Sequence, residues 1–340
     1  MGKAKPLFKG HYQPRVPADL GYYDLRLPIV REEQTELAKE AGVTAFCYWH
    51  YWFGNGKRLM ANIFDEVLNS GKPDFPFCLG WANHSWYAKN WNSDGTSTNK
   101  LLIEQTYPGL EDEKMHFEYL LKAFKDERYV KIDGMPFLYI FDPVSVPNEY
   151  LTNFRKWTKE AGFKDLYLVA NISHPSIKKE QLLSRGFNAV NYQRLNGSSN
   201  KFIKNMGKVG RGLYKLTTTL KGFIMHRPPR MVDYRTFYHN IVTEEDKCND
   251  VIPTLLPQWD HTPRSGWNGS LIINSTPEVF YKQTQEALNA IKDKEVKNQI
   301  LLLKSWNEWG EGNYMEPDLK YGHGYIKALS QALKDFNRAN

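Results

Sequence analysis

Short apolar runs recur along this chain, and between them lie longer stretches in which apolar residues return every three or four positions. The runs at 43–52 (VTAFCYWHYW), 75–82, 136–142, 166–172, 187–192, 251–259 and 299–307 predict strands. The 3.6-residue pattern predicts helices at 31–41, 61–70, 111–126, 147–161, 177–185, 232–246, 277–292 and 323–338. Strict alternation of the two predicts an α/β protein with a parallel sheet, and at 340 residues a (β/α)8 barrel, a TIM-type fold forming one catalytic domain over 1–340, is the natural solution. Each run begins apolar and ends polar or aromatic, as expected where the C-terminal ends of barrel strands carry the chemistry. Seven strands leave such a barrel one short. The shortfall falls at the front, because residues 1–30 carry no strand pattern.

The last run leads directly into Ser305-Trp306-Asn307-Glu308-Trp309-Gly310-Glu311-Gly312. Two carboxylates three residues apart, between indoles and glycines, suit glycoside chemistry: one carboxyl group gives a proton, one stays charged, and an indole face takes the C–H side of a pyranose. Glu308 and Glu311 are therefore the candidate catalytic pair, with Asn307 and Trp309 as sugar contacts. The plainer alternative is a pair of solvated loop acids beside packing tryptophans. Trp81, Asn83, His84 and Trp86 follow the second run and are candidates to line a sugar cleft, against a tryptophan packing layer under a loop. His50, Tyr51 and Trp52 end the first run, where alternation sends about half of such residues into the core. Trp259 and Asp260 follow the sixth run beside Gln258 and Arg264; Asp260 is either a cleft residue or the ion-pair partner of Arg264. His174 and Tyr192 are weaker candidates.

Aromatic content of 14% fits a carbohydrate cleft or a large core, and does not choose between them. No apolar run is long enough to span a membrane, and residues 1–30 lack the apolar core of a signal peptide, so a cytoplasmic location is expected. Cys47, Cys78 and Cys248 are expected as buried, reduced thiols. No Asp-x-Asp, Gly-x-Gly-x-x-Gly or zinc-spaced cluster occurs, and neither a metal nor a cofactor is expected. Glu308 and Glu316 have a Glu-x7-Glu spacing, but so do Glu32 and Glu40 inside an ordinary helix. The net charge of +7 concentrates in an insertion at 195–232, where 201–230 holds Lys201, Lys204, Lys208, Arg211, Lys215, Lys221, Arg227 and Arg230 and no acid. Interleaved apolar residues suit a peripheral contact with an anionic membrane at the inner leaflet, against a solvated insertion; no nucleic-acid motif accompanies the charge.

The stretches 5–26 (KPLFKGHYQPRVPADLGYYDLR), 46–60 (FCYWHYWFGNGKRLM), 74–86 (DFPFCLGWANHSW) and 305–318 (SWNEWGEGNYMEPD) together resemble the WbsX family, called glycosyltransferases and associated with O-antigen and capsule (surface lipopolysaccharide and polysaccharide) gene clusters. That family in turn resembles glycoside hydrolase family 99, endo-acting mannosidases with a (β/α)8 barrel. The resemblance implies that Glu308 deprotonates the sugar's own 2-hydroxyl, that Glu311 is the general acid and base, and that the anomeric configuration is retained. It implies a sugar donor and an oligosaccharide or lipid-linked glycan acceptor. Members usually begin with a strand ahead of the point matched by Met1, so the family's first strand is expected to be lacking. Three functions follow as expectations: a glycosyltransferase of surface-polysaccharide biosynthesis, an endo-acting α-glycoside hydrolase, and a non-catalytic sugar-binding remnant.

Overall fold

The computed structural model describes residues 4–91, 97–195 and 230–339, together with 212, 216, 217 and 220. Apart from these four and Arg230, the basic segment 201–230 lies outside the described residues, and its membrane contact with it. Two compact units make up the chain, one of residues 24–35 and 43–192, the other of residues 1–23, 36–42 and 193–340.

After helix α1 (Pro28–Ala41), the first of these units runs β1 (Phe46–His50), α2 (Asn62–Ser70), β2 (Phe77–Trp81), β3 (Trp86–Trp91), β4 (Ser97–Ile103), α3 (Leu110–Phe124), β5 (Lys131–Ile132), β6 (Met135–Ile140), α4 (Asn148–Glu160), β7 (Tyr167–Ile172), α5 (Lys179–Ser184) and β8 (Ala189–Tyr192). Strands β1, β2, β6, β7 and β8 pair in that order, all parallel. Every residue of β2 and β7 is buried, as expected of strands covered on both faces. Helices α3 and α4 pack together through Phe117, Phe154 and Trp157, with ring centroids 5.5–5.6 Å from Phe117. β5 and β6 form a hairpin whose turn, Asp133-Gly134, has both residues at positive φ (51° and 76°), the geometry that matches strand twist. β3 and β4 form a second, antiparallel hairpin that the hydrophobic pattern did not predict.

In the other unit, β9 (Met231–Asp233), β10 (Val251–Ile252), β11 (Thr254–Leu255), β12 (Leu271–Ile273), β13 (Leu302–Leu303), β14 (Asn307–Glu308) and β15 (Asn313–Tyr314) are short. β11 pairs with β13 and β9 with β12, both parallel, while β14 and β15 make an antiparallel hairpin. The helix Pro277–Ile291 starts with Thr276 accepting from Val279 N–H and a proline in its first turn, and packs Leu288 and Ile291 on Ala332 of the helix Gly324–Ala339.

All seven predicted strand positions carry strands, and no strand among the described residues precedes Phe46. Four expectations are corrected, the run at 299–307 among them, which holds the separate strands β13 and β14. The run at 251–259 is not one strand: Pro253, which has no N–H to donate, separates β10 from β11. The helix expected over 232–246 is instead β9, the short helix Tyr234–Phe237 and 3-10 turns at Tyr238–Asn240 and Glu244–Lys247. Asp233 caps one start by accepting from Arg235 N–H, and a Thr243–Asp246 capping box begins another, so the chain restarts where the pattern reads on. All three cysteines are free, but only Cys78 is buried; Cys47 and Cys248 are exposed. No helix among the described residues is long and apolar enough to cross a membrane.

Candidate active site

Strand β13 ends beside the buried β11, with Lys304 N–H donating to Leu255 O (2.9 Å), and the chain then turns into the β14–β15 hairpin. Glu308 closes β14, and Glu311 sits in the connecting 3-10 turn Trp309–Glu311. A turn this tight needs glycine: Gly312 has φ +53°, and a Cβ there would lie 2.8 Å from Asp260 Cβ and 2.9 Å from Arg15 Nε.

One guanidinium joins the two carboxylates. Arg264 Nη2 donates to Glu308 Oε1 (2.8 Å) and Arg264 Nη1 to Glu311 Oε1 (3.4 Å). His261 Nε2 lies 3.7 Å from the same Glu311 oxygen. The side chains of Arg264 and Glu308 are 50% and 41% exposed, so this pairing adds little to stability, yet both groups remain open to a ligand. Partial burial raises the Glu308 carboxyl above its ordinary range; Glu311 raises it further, while Arg264 and Lys304 oppose the shift. Burial lowers the Lys304 amine, against the attraction of Glu311 and Glu308. Its Nζ donates to Gln193 Oε1 (2.9 Å) and lies 5.3 Å from the Trp259 ring centre.

Gly310 makes room for this arrangement. A Cβ there would lie 3.0 Å from Arg264 Nε and Nη2 and 3.1 Å from Glu308 Oε1. Gly310→Ala is therefore expected to push Arg264 off Glu308 and lower turnover by about tenfold, or about 1.4 kcal/mol. Because only the far ends of two half-exposed side chains must move, the melting temperature should change little. Kinetics and thermal melting of the variant check both halves.

Asp260 anchors the hairpin from below. It is wholly buried, and its four acceptor positions are filled: Oδ2 by His11 Nε2 (2.9 Å) and Gln13 Nε2 (2.6 Å), Oδ1 by Thr262 N (3.0 Å) and Oγ1 (2.6 Å). His11 Nδ1 accepts from Leu7 N–H (3.1 Å), which leaves Nε2 as the donor to Asp260. Asp260 N–H donates to Glu311 O (2.7 Å). Burial would raise this carboxyl, but the hydrogen bond from His11, the charge of Arg15 and the bonds from Thr262 and Gln13 outweigh it and hold the group at about 2. Both readings of Asp260 are thus corrected: it has no lone pair left for a sugar, and Arg264 pairs with Glu308 and Glu311 instead. Arg15, 3.9 Å from Asp260 Oδ2, donates to Gln258 Oε1 and lies near the rings of Tyr12 and Tyr314.

Trp309 stacks on Tyr314 (3.7 Å, 15°) and donates from Nε1 to Glu316 Oε2 (2.7 Å). Glu316, 2% exposed, also accepts from Tyr23 OH (2.9 Å), which in turn accepts from Asn307 Nδ2 (3.1 Å). The Glu-x7-Glu spacing therefore reflects a buried acid that fixes an indole. Trp259 is a correction: it is buried in a cluster with Tyr234, Phe237 and Leu256, its N–H held by Ser270 Oγ (2.8 Å), and offers no face to a sugar.

In the other unit His50, Trp52, Trp81 and Asn83 are buried, in the packing layer that was the alternative. His50 Nε2 meets His116 Nε2 (2.7 Å), Trp52 Nε1 donates to Asp112, and Trp81 Nε1 donates to Trp52 O (3.1 Å). Burial drives the His50 imidazole down to about 3, so it stays neutral. Asn83 bridges Tyr107 OH and both backbone groups of Asp142. Tyr51, His84 and Trp86 are partly exposed; Tyr51 and Trp86 meet edge to face at 5.2 Å. His174 bonds Ser176 at the surface. His11, Gln13, Arg15, Tyr23, His261, Lys304 and Glu316 were given no site role by the sequence reading, although five of them lie in the two motif stretches 5–26 and 305–318.

A family model described as "Glycosyltransferase WbsX" matches residues 1–329. Two proteins of Xanthomonas campestris pv. campestris, from separate strains and both called "Uncharacterized protein WxcX", are 27% identical over 338 residues, covering 98% of this chain and 45% of theirs. The chain thus spans about half the length of these relatives. Among solved structures, a "Glycoside hydrolase-like protein" superposes with a TM-score of 0.60 at 16% identity, over 94% of this chain and 89% of that one. The GH99 endo-alpha-mannosidase of Bacteroides thetaiotaomicron gives a TM-score of 0.57 at 12% identity, over 96% and 88%. These likenesses place the fold with the GH99 TIM barrels.

Proposed function

The chain belongs to the WbsX glycosyltransferase family, and on that premise we propose that it is a carbohydrate-active enzyme that breaks and remakes glycosidic bonds with retention, using Glu308 and Glu311. The observation that supports this most is the bridging of both carboxylates by Arg264 on one hairpin, with Trp309 fixed beside them.

In the mechanism implied by the family resemblance, Glu308 takes the proton of the sugar's 2-hydroxyl, and the 2-oxygen bonds to the anomeric carbon as the glycosidic bond breaks. Glu311 protonates the departing oxygen. An acceptor hydroxyl then opens the three-membered ring at the anomeric carbon, giving its proton to Glu311, while the 2-oxygen recovers its own from Glu308. The raised Glu308 carboxyl suits this assignment, because greater basicity favours taking a proton from a hydroxyl. Asn307 and Trp309 are the proposed sugar contacts beside the pair. A role in surface-polysaccharide biosynthesis, with a lipid-linked glycan as acceptor, extends the family reading.

Hydrolysis by the same pair is the second reading, favoured by the fold shared with the GH99 endo-alpha-mannosidase. The test is to incubate the protein with short α-linked mannose oligosaccharides, with and without an acceptor glycan, and to follow the anomeric protons by NMR. New linkages with the donor's configuration support transfer, free reducing ends of that configuration support hydrolysis, and inverted products would refute the mechanism.

A further inference from the structure

Trp49 stands out on β1 because its indole, one residue from the C-terminal end of a parallel strand, is 46% exposed. Its register partner on β2 is Gly80, and a Cβ there would lie 3.1 Å from the six-membered ring, so the absent side chain is what gives the indole its place. Tyr139 and Phe141 meet it edge-on at 6.1 Å (68°) and 5.8 Å (82°). Two polar groups border the same Phe141. The His84 ring lies 4.9 Å from it, and Asn171 Nδ2 donates to its carbonyl (2.9 Å). His84 Nδ1 and Asn171 Oδ1 are shielded from water and have no hydrogen-bond partner in the described structure, and Asn171 is only 1% exposed. Such atoms are costly to leave unpaired.

We propose that Trp49, His84 and Asn171 form a binding surface for a neutral hexopyranose residue of a glycan. A pyranose has a C–H face to lay on the indole and hydroxyl groups that both donate and accept, which matches the carbonyl oxygen of Asn171 and the imidazole of His84. Burial shifts that imidazole toward its neutral form against the charge of the neighbouring Asp142, whose carboxylate disfavours a phosphate- or carboxylate-bearing sugar. The surface lies at the C-terminal ends of parallel strands, where α/β folds bind ligands. This inference rests on the carbohydrate reading and deepens it.

The test is calorimetric titration of the whole chain with a panel of short neutral gluco-, manno- and galacto-oligosaccharides. The wild type is expected to bind at least one of them. Trp49→Ala should weaken that binding about tenfold, His84→Ala several-fold, and Val296→Ala, at an exposed position away from this surface, not at all. His84→Ala removes a partly exposed ring and gives the same answer should Trp49→Ala fail to fold. Binding that is equal in wild type, Trp49→Ala and His84→Ala would overturn this surface while leaving the carbohydrate reading standing. If the wild type binds no member of the panel, both fall.

Discussion

Glu311→Gln should lower turnover of a glycosidic substrate by about three orders of magnitude while leaving the melting temperature nearly unchanged. The side chain is separable from the fold: among the described residues its carboxylate meets Arg264 at 3.4 Å and His261 at 3.7 Å, both at partly exposed side chains. The structural bond at this position, from Asp260 N–H, goes to the backbone carbonyl and survives the substitution. An amide of the same shape cannot shuttle the proton that the departing and attacking oxygens exchange. Oligosaccharide affinity should persist in the variant. Glu308→Gln should be comparably damaging, and the double variant little worse than either, because residues that act as a unit are not additive. Full activity in Glu311→Gln would remove the residue from the mechanism; unaltered binding with no activity in the wild type would point to a sugar-binding protein.

The second large effect concerns stability. Asp260→Asn should destabilise the unit that contains it by about 3 kcal/mol, since an amide nitrogen would then face donors aimed at a carboxylate in a fully buried site. Chemical denaturation of wild type and variant measures it. The same carboxylate predicts an acid transition. Its folded-state value, about 2, lies below the ordinary 3.8, so its contribution is complete above about pH 4 and is lost as pH falls toward 2. From that difference the contribution is about 2 kcal/mol. Asp260→Asn should therefore flatten the wild-type loss of stability over that window; an equally steep loss in the variant would assign it to other groups.

Much of the α/β framework was legible because parallel strands buried on both faces write themselves as unbroken apolar runs, and β2 and β7 are of this kind. The β3–β4 hairpin was missed because the polar residues of Ser97–Ile103 break the apolar run by which the other strands announce themselves. The proposed pair could be picked out because both acids sit on one hairpin with their glycines. Their support could not. His11 and Gln13 lie in a loop without periodicity, and nothing local indicates that their partner is Asp260. For Trp52, Trp81 and Trp259 the sequence showed tryptophans at strand ends, and only packing decides that these face inward.

The Asp260 cluster also bears on how the chain comes to be made. In sequence, His11 and Gln13 lie 249 and 247 residues from the carboxylate they hold. Contacts of such separation form late, after the chain entropy of a very large loop has been lost. During synthesis the segment around His11 emerges long before Asp260 exists, so for most of translation it has no native partner. The Glu308–Glu311 hairpin is thus fixed only once the chain has been made past Asp260, which makes the protein a natural client for whatever shields nascent chains from aggregation.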